Sequence, residues 1–161
     1  MTFILVLVLV VAFIVAPIIA LKPRGKQSQL ENMRLLARSK GVLYSLRRLP
    51  PLKTDTQQSD ALAVYTLSPN EKISGVDEWI LRRTQYAHDL NFFNVWDWAN
   101  EHRPPESIQQ FLLKRLFNLP ASVVGISAGH NGVAFFWKEE GDEQTLLEMI
   151  DFLQHIRALY H

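Results

Sequence analysis

Residues 2–21, TFILVLVLVVAFIVAPIIAL, carry no charged side chain, and Lys22, Arg24 and Lys26 follow directly. No other feature constrains the chain as strongly. These twenty residues, at a rise of about 1.5 Å each, make roughly 30 Å of helix, the thickness of a bilayer's hydrocarbon core. A helix that is apolar on every side needs either lipid or a much larger protein around it. Leu, Ile, Val and Phe dominate the run, and these partition readily into lipid. Pro17 falls near its end, where freed backbone groups find other partners. No Lys or Arg precedes the run, its length exceeds a signal peptide's apolar core, and no A-x-A-like site follows. A retained anchor is therefore expected rather than a cleaved leader.

Charge sets the expected orientation. Residues 22–48 hold eight Lys/Arg (22, 24, 26, 34, 38, 40, 47 and 48) against the single acid Glu31, a net +7. Residues 49–161 hold nine Lys/Arg against fifteen Asp/Glu, a net −6. Positive flanks stay in the cytoplasm, so the N-terminus is expected outside and residues 22–161 inside. The absence of cysteine agrees with a reducing compartment. An acidic domain lacks the basic field that phosphate contacts require, which argues against a nucleic-acid partner.

The remaining sequence suits one domain. In residues 27–40, QSQLENMRLLARSK, the side chains of Leu30, Met33, Leu36 and Ala37 share a helical face, and Gly41 follows as a natural helix terminator. A core-facing helix is the simpler reading. A helix lying on anionic headgroups through Lys22, Arg24, Lys26, Arg34 and Arg38 is the alternative. VLYSLRRL (42–49), ALAVYTL (61–67) and EWILRRTQY (78–86) read as strands, the first with Val42, Tyr44 and Leu46 on one face. Residues 88–105 are rich in aromatics and show no period. PESIQQFLLKRLFN (105–118) reads as a helix with an apolar face of Ile108, Phe111, Leu112 and Leu116.

The C-terminal third is the most legible. Two β-rich runs, 121–128 and 132–138, flank Gly129-His130-Asn131-Gly132, and Asn-Gly between such runs is a strong hairpin signal. DEQTLLEMIDFLQHIRALY (142–160) then forms a long amphipathic helix, with Asp142 and Glu143 at its positive end. A hairpin followed by such a helix packs helix on sheet, so the expected class is α+β with a mainly antiparallel sheet.

No convergent catalytic set stands out. The five histidines, 88, 102, 130, 155 and 161, show no metal-ligand spacing, and without cysteine there is no zinc signature. No phosphate-binding glycine loop is present either, so no metal or cofactor is expected. Ser127 in Gly-Ile-Ser-Ala-Gly (125–129) fits G-x-S-x-G by pattern. That motif requires a strand-to-helix elbow, whereas a second strand follows here. A membrane-bound hydrolase using Ser127 with His88 or His155 is the alternative this leaves. Trp96-Asp97-Trp98, with Phe92 and Phe93 just before and Arg103 after, is the densest aromatic segment. Such residues fill cores, and they also anchor protein interfaces.

Several of these features together resemble a group of small single-pass inner-membrane proteins of gammaproteobacteria. They are the apolar anchor with its Pro-basic junction (Pro17 through LKPRGK, 21–26), the arginine-rich helix closed by glycine (RLLARSKG, 34–41), and LPASVVGIS…GVAFFWKEEG followed by a helix. Some of that group are labelled as similar to the translocase accessory subunit YajC, which is also small, singly anchored and cytoplasmic. The resemblance implies a bacterial inner-membrane location and brings no active site with it.

The expected organisation is thus a transmembrane helix (1–21), a basic juxtamembrane helix and first strand (22–48), and the rest of one cytoplasmic α+β domain (49–161). The expected role is a non-enzymatic accessory or adaptor module. Its partners would be membrane lipid through residues 2–21 and an inner-membrane protein, the latter contacted through Phe92, Phe93, Trp96, Trp98 and Arg103.

Overall fold

The computed structural model describes residues 25–51, 60–73, 75–84, 86–87 and 91–160. The apolar run 2–21, Lys22, Arg24, His88 and His161 lie outside the described residues. The chain divides after Asn32 into two compact units. Of the first, only Gly25–Asn32 is described, and these residues are the opening turns of a helix. The architecture below is that of the second, Met33–His161.

Helix α1 (Gly25–Ser39) stops where the sequence places a glycine. Gly41 takes φ +75°, a value residues with a Cβ rarely adopt, and the Lys40 N–H donates to the Leu36 and Ala37 carbonyls. Met33 and Ala37 turn inward and are buried, as a core-facing helix requires. Six strands follow: β1 (Val42–Arg47), β2 (Leu62–Leu67), β3 (Trp79–Arg83), β4 (Trp96–Trp98), β5 (Val123–Gly129) and β6 (Gly132–Trp137). Between β4 and β5 lies helix α2 (Glu106–Arg115), tightening into a 3₁₀ turn at Leu116–Asn118. Helix α3 (Glu143–Ala158) closes the fold. The strands form one sheet in the order β1-β2-β6-β5-β3-β4, and every neighbouring pair is antiparallel. The class is α+β, with an antiparallel sheet.

Alternation along the strands gives the sheet two different faces. On one lie Tyr65, Leu67, Trp79, Leu81, Ile126, Val133, Phe135 and Trp137, all buried. The helices cover this face. Arg34 of α1 lies over the Tyr44 ring at 4.2 Å, and Trp79 Nε1 donates to the Tyr160 hydroxyl just beyond α3 at 2.6 Å. Phe111 of α2 meets Phe152 of α3 with ring centroids 5.3 Å apart. A fully buried phenylalanine such as Phe135 contributes about 1.5–3 kcal/mol.

The other face carries a smaller buried cluster of Leu49, Val64, Ile80, Ala134 and Phe136. Part of its cover is the chain just after β1, which runs across the sheet as a strap. Pro50 accepts from Arg82 Nη1 at 2.9 Å, and Arg47 reaches Glu78 at 3.3 Å. Leu49 fills the space over Gly125, where an added Cβ would lie 3.0 Å from it.

The hairpin joining β5 and β6 is where the sequence places it, but its turn is built differently. His130 and Asn131 are the connecting residues, and neither has positive φ; Gly132 does, at +114°. A Cβ at Gly132 would sit 2.1 Å from the Leu67 carbonyl oxygen of the neighbouring strand. Glycine is therefore required there twice over, by conformation and by close approach. Asp142 caps α3, accepting from the Thr145 N–H at 2.8 Å and the Thr145 hydroxyl at 2.7 Å.

Candidate interaction surface

The aromatic segment that lacks sequence periodicity forms the far edge of the sheet. β4 is only three residues long and pairs with β3, setting Trp98 opposite Leu81 and Trp96 opposite Arg83. The loop before it is held by side chains. Asn91 Nδ2 donates to the Asn94 carbonyl at 2.6 Å and the Tyr86 carbonyl at 3.1 Å, and Asn94 takes φ +51°. Trp96 is buried, with the Arg83 guanidinium 4.6 Å from its ring. Trp98, Phe92 and Phe93 are half-buried. Trp98 packs on Phe92 at 4.7 Å and edge-on to Trp79 at 5.8 Å. Arg103 is exposed, its guanidinium 5.0 Å from the Trp98 ring, and it donates to the Asn100 and His102 carbonyls. Of the five aromatic-segment residues, Trp96 thus belongs to the core, Arg103 to the surface, and the other three to the boundary.

Arg83 holds the same corner from inside. It donates to the carbonyls of Leu119 (3.3 Å) and Pro120 (3.2 Å), just past the 3₁₀ turn, and of Val123 (3.0 Å), the first residue of β5. Burial lowers its pKa from the usual guanidinium value.

The strongest charged cluster links α1 to the sheet. Arg34 grips Glu139 with two bonds, at 2.9 and 2.6 Å, and the Tyr65 hydroxyl donates to the same carboxylate at 2.7 Å. Tyr44 packs edge-on against Tyr65 at 5.6 Å, below the guanidinium. The Glu139 hydrogen bond is the main force raising the Arg34 pKa. Burial, then the bond to Glu139, raises that of Tyr65 well beyond the ordinary phenol value. Among the basic residues of the headgroup-binding alternative, Arg34 therefore spends its charge inside the domain. Lys26 and Arg38 are exposed.

Among the described residues, the histidines and Ser127 do not assemble. Ser127 is buried in the middle of β5, its register partners being Ala134 and Ile80 on the strap side of the sheet. His155 lies on α3, on the opposite side, where it is exposed and its Nδ1 meets the Asp151 carbonyl oxygen at 2.9 Å. Asp142 serves as a helix cap. Among the described residues no group of three or more His, Cys, Asp or Glu side chains could hold a metal. A groove of ≈480 Å³ runs between the end of α2 and α3, with Arg115, Glu148 and Phe152 among its lining residues.

Large apolar side chains face solvent elsewhere. Leu35 of α1 is 65% exposed, and Leu43 and Leu46 of β1 are 60% and 63% exposed. Phe117, after α2, is 79% exposed. Sequence pattern does not mark these as exposed; Leu46 enters it only on the Val42–Tyr44–Leu46 face of β1. Its one available signal was that Leu43 and Leu46 differ by three residues, so an alternating strand must turn them to opposite faces.

No protein-family model, no curated protein and no solved structure matches the chain.

Proposed function

We propose that this chain is a membrane-anchored accessory module that binds another membrane protein, and that it carries no catalytic site. In this reading residues 2–21 span the bacterial inner membrane with the N-terminus outside, and the α+β domain works in the cytoplasm. Among the described residues no helix is long and apolar enough to cross a membrane, so the span is proposed on residues 2–21 alone. The resemblance to the single-pass gammaproteobacterial group is carried in the same proposal. The observation that supports partner binding is the set of large apolar side chains left in water by an otherwise well-packed domain, Leu35, Leu43, Leu46 and Phe117. Arg103 over the half-buried Trp98 adds an amphipathic rim of the kind interfaces use.

The test is photo-cross-linking in the native membrane. The full-length protein carries a benzoylphenylalanine at Leu35, Leu43, Arg103 or Phe117 in turn. The expected result is a discrete adduct with one membrane polypeptide from some positions and not others, and that polypeptide should co-purify at fixed stoichiometry. Lipid adducts alone, or a uniform smear from all four positions, would overturn the adaptor reading.

A further inference from the structure

The two edges of the sheet are built in opposite ways. β4 is short, carries Asp97 at its centre and is bounded by a side-chain-stapled loop and Pro104-Pro105, all devices that discourage further pairing. Among the described strands, β1 is the other edge. It runs six residues in unbroken register with β2 and contains no proline. Leu43 shares the strap face with Ser45 and Arg47, and Leu46 shares the helix face with Val42 and Tyr44. Both leucines are exposed, so this edge offers backbone hydrogen-bonding groups framed by apolar side chains on either face. Exposed Lys40 precedes the strand and exposed Arg48 follows it.

We infer that β1 is a docking edge for an extended acidic protein segment, which adds to the sheet as a seventh, antiparallel strand. This deepens the adaptor reading and rests on it. Overlap and charge decide the occupant: paired about Leu43 or Leu46, a second copy would overlap β1 over only three residues, 42–44 or 45–47. A second copy of this chain paired about Tyr44 sets Leu46 against the other copy's Val42, but it brings Lys40 opposite Arg48 at both ends. Paired about Ser45, it sets Leu43 against Arg47 and Val42 against Arg48. Like charges directly opposite destabilise strand pairs, and an apolar side chain opposite a cation gains little. A foreign segment with apolar residues at alternate positions and Asp or Glu at both ends sets apolar side chains against Val42, Tyr44 and Leu46 and carboxylates against Lys40 and Arg48. Main-chain bonds supply the affinity and the alternate side chains the selectivity, as in other strand-addition recognition.

The experiment uses the full-length protein in detergent micelles and two labelled nine-residue probes. Both carry Val-Thr-Val-Thr-Val at their centre; one is ended by Glu pairs and the other by Lys pairs. Binding is read by anisotropy, and its location by amide hydrogen exchange. The acidic probe is expected to protect the β1 amides and to bind roughly tenfold more tightly than the basic one, as several exposed charge pairs of reversed sign predict. Its affinity should also fall as salt rises. L43E/L46E changes only exposed side chains, sets like charge beside the acidic probe, and should abolish its binding while tryptophan fluorescence keeps its native spectrum. Equal affinity for the two probes, protection at β4, or no binding of the acidic probe would overturn the proposal. So would β1 protection that rises with protein concentration alone, the signature of a second copy. If the probes fail while the native-membrane cross-links persist, the edge assignment falls and the adaptor reading stands. If the probes bind but no membrane adduct forms, the reverse holds.

Discussion

Glu139 ties α1 to the sheet through three side-chain hydrogen bonds, and its loss should be costly. It accepts two bonds from Arg34 and one from Tyr65, and its side chain is only 11% exposed. Glu139→Ala leaves the Tyr65 hydroxyl, on a residue with no exposed surface, without its acceptor, an unsatisfied buried group costing about 1–3 kcal/mol. The Arg34 pair adds less, because that side chain is 34% exposed and water replaces part of what it loses; such a pair is worth at most about 1 kcal/mol. Together these give a loss of about 1–4 kcal/mol. For a domain of this size that lowers the midpoint by roughly 3–12 °C. The backbone does not confound the comparison. Position 139 sits at φ +56°, and Glu and Ala both carry the Cβ that makes this costly. The assay is thermal unfolding of the full-length protein in detergent, followed by tryptophan fluorescence, since all four tryptophans lie in the sheet. Adding Tyr65→Phe removes the stranded hydroxyl, so the double variant should be no less stable than E139A alone. An E139A cost within about 0.5 kcal/mol, or strictly additive effects of the two substitutions, would refute the reasoning.

Three further outcomes are expected. Tyr44, Tyr65 and Tyr160 all have pKa values raised chiefly by burial. Above the ordinary phenol value of about 10 the unfolded chain then loses protons that the folded chain retains, so stability should be intact below that pH and fall as pH rises through the folded values; a phenolate absorbance step preceding unfolding would contradict this. The two bonds from Thr145 hold the Asp142 carboxyl below its usual range, so the stability it contributes is present above the unfolded value and is lost as pH falls through the folded one. D142A should lower the melting midpoint at neutral pH and D142N much less, measured on the same fluorescence signal. Gly132→Ala, whose Cβ would meet the Leu67 carbonyl at 2.1 Å, should prevent folding or shift the β5–β6 register, detectable as lost near-ultraviolet circular dichroism; a native-like spectrum would show the turn to be built otherwise.

Sequence pattern reached those parts of the fold where local chemistry and tertiary packing agree. The β5–β6 hairpin and α3 are legible because Gly132, the apolar runs and the Asp142 cap each favour the same local geometry. Gly41 announces the end of α1 for the same reason. β4 was not legible, because three residues carry no period, and its pairing depends on Asn91, a loop side chain bonding backbone several positions away. The strap was hidden too, since Leu49-Pro50 has meaning only once Gly125 and Arg82 lie beneath it. Composition located the aromatic segment but could not divide it between core and surface. That division follows from register, which sets Trp96 opposite Arg83, whose guanidinium lies over its ring. In β1 the alternation Val42, Tyr44, Leu46 was read on one face, and the register with β2 agrees. Burial, however, fades along it, from buried Val42 through half-buried Tyr44 to exposed Leu46.

The fading burial ties the proposed tether to the proposed edge. A six-residue strand added beside two exposed leucines gains only a modest cross-strand contribution, about 0.2–1 kcal/mol for each favourable pair. Such an edge is a poor trap for a soluble partner that must first lose its translational freedom. Two chains held in the same membrane have already lost most of it, and a confined partner meets the edge at a high effective concentration. Modest intrinsic affinity then becomes an advantage, because the contact forms only where both anchors are present and releases when they separate. On this logic the anchor and the edge should fail together in cells. Removing residues 2–21 should abolish the cross-link at Leu43 in growing cells even though the acidic probe still binds the truncated domain, once that domain is shown to keep its fluorescence spectrum. A Leu43 adduct that persists without the anchor would mean that the edge binds tightly enough alone, and the tether would then need another purpose.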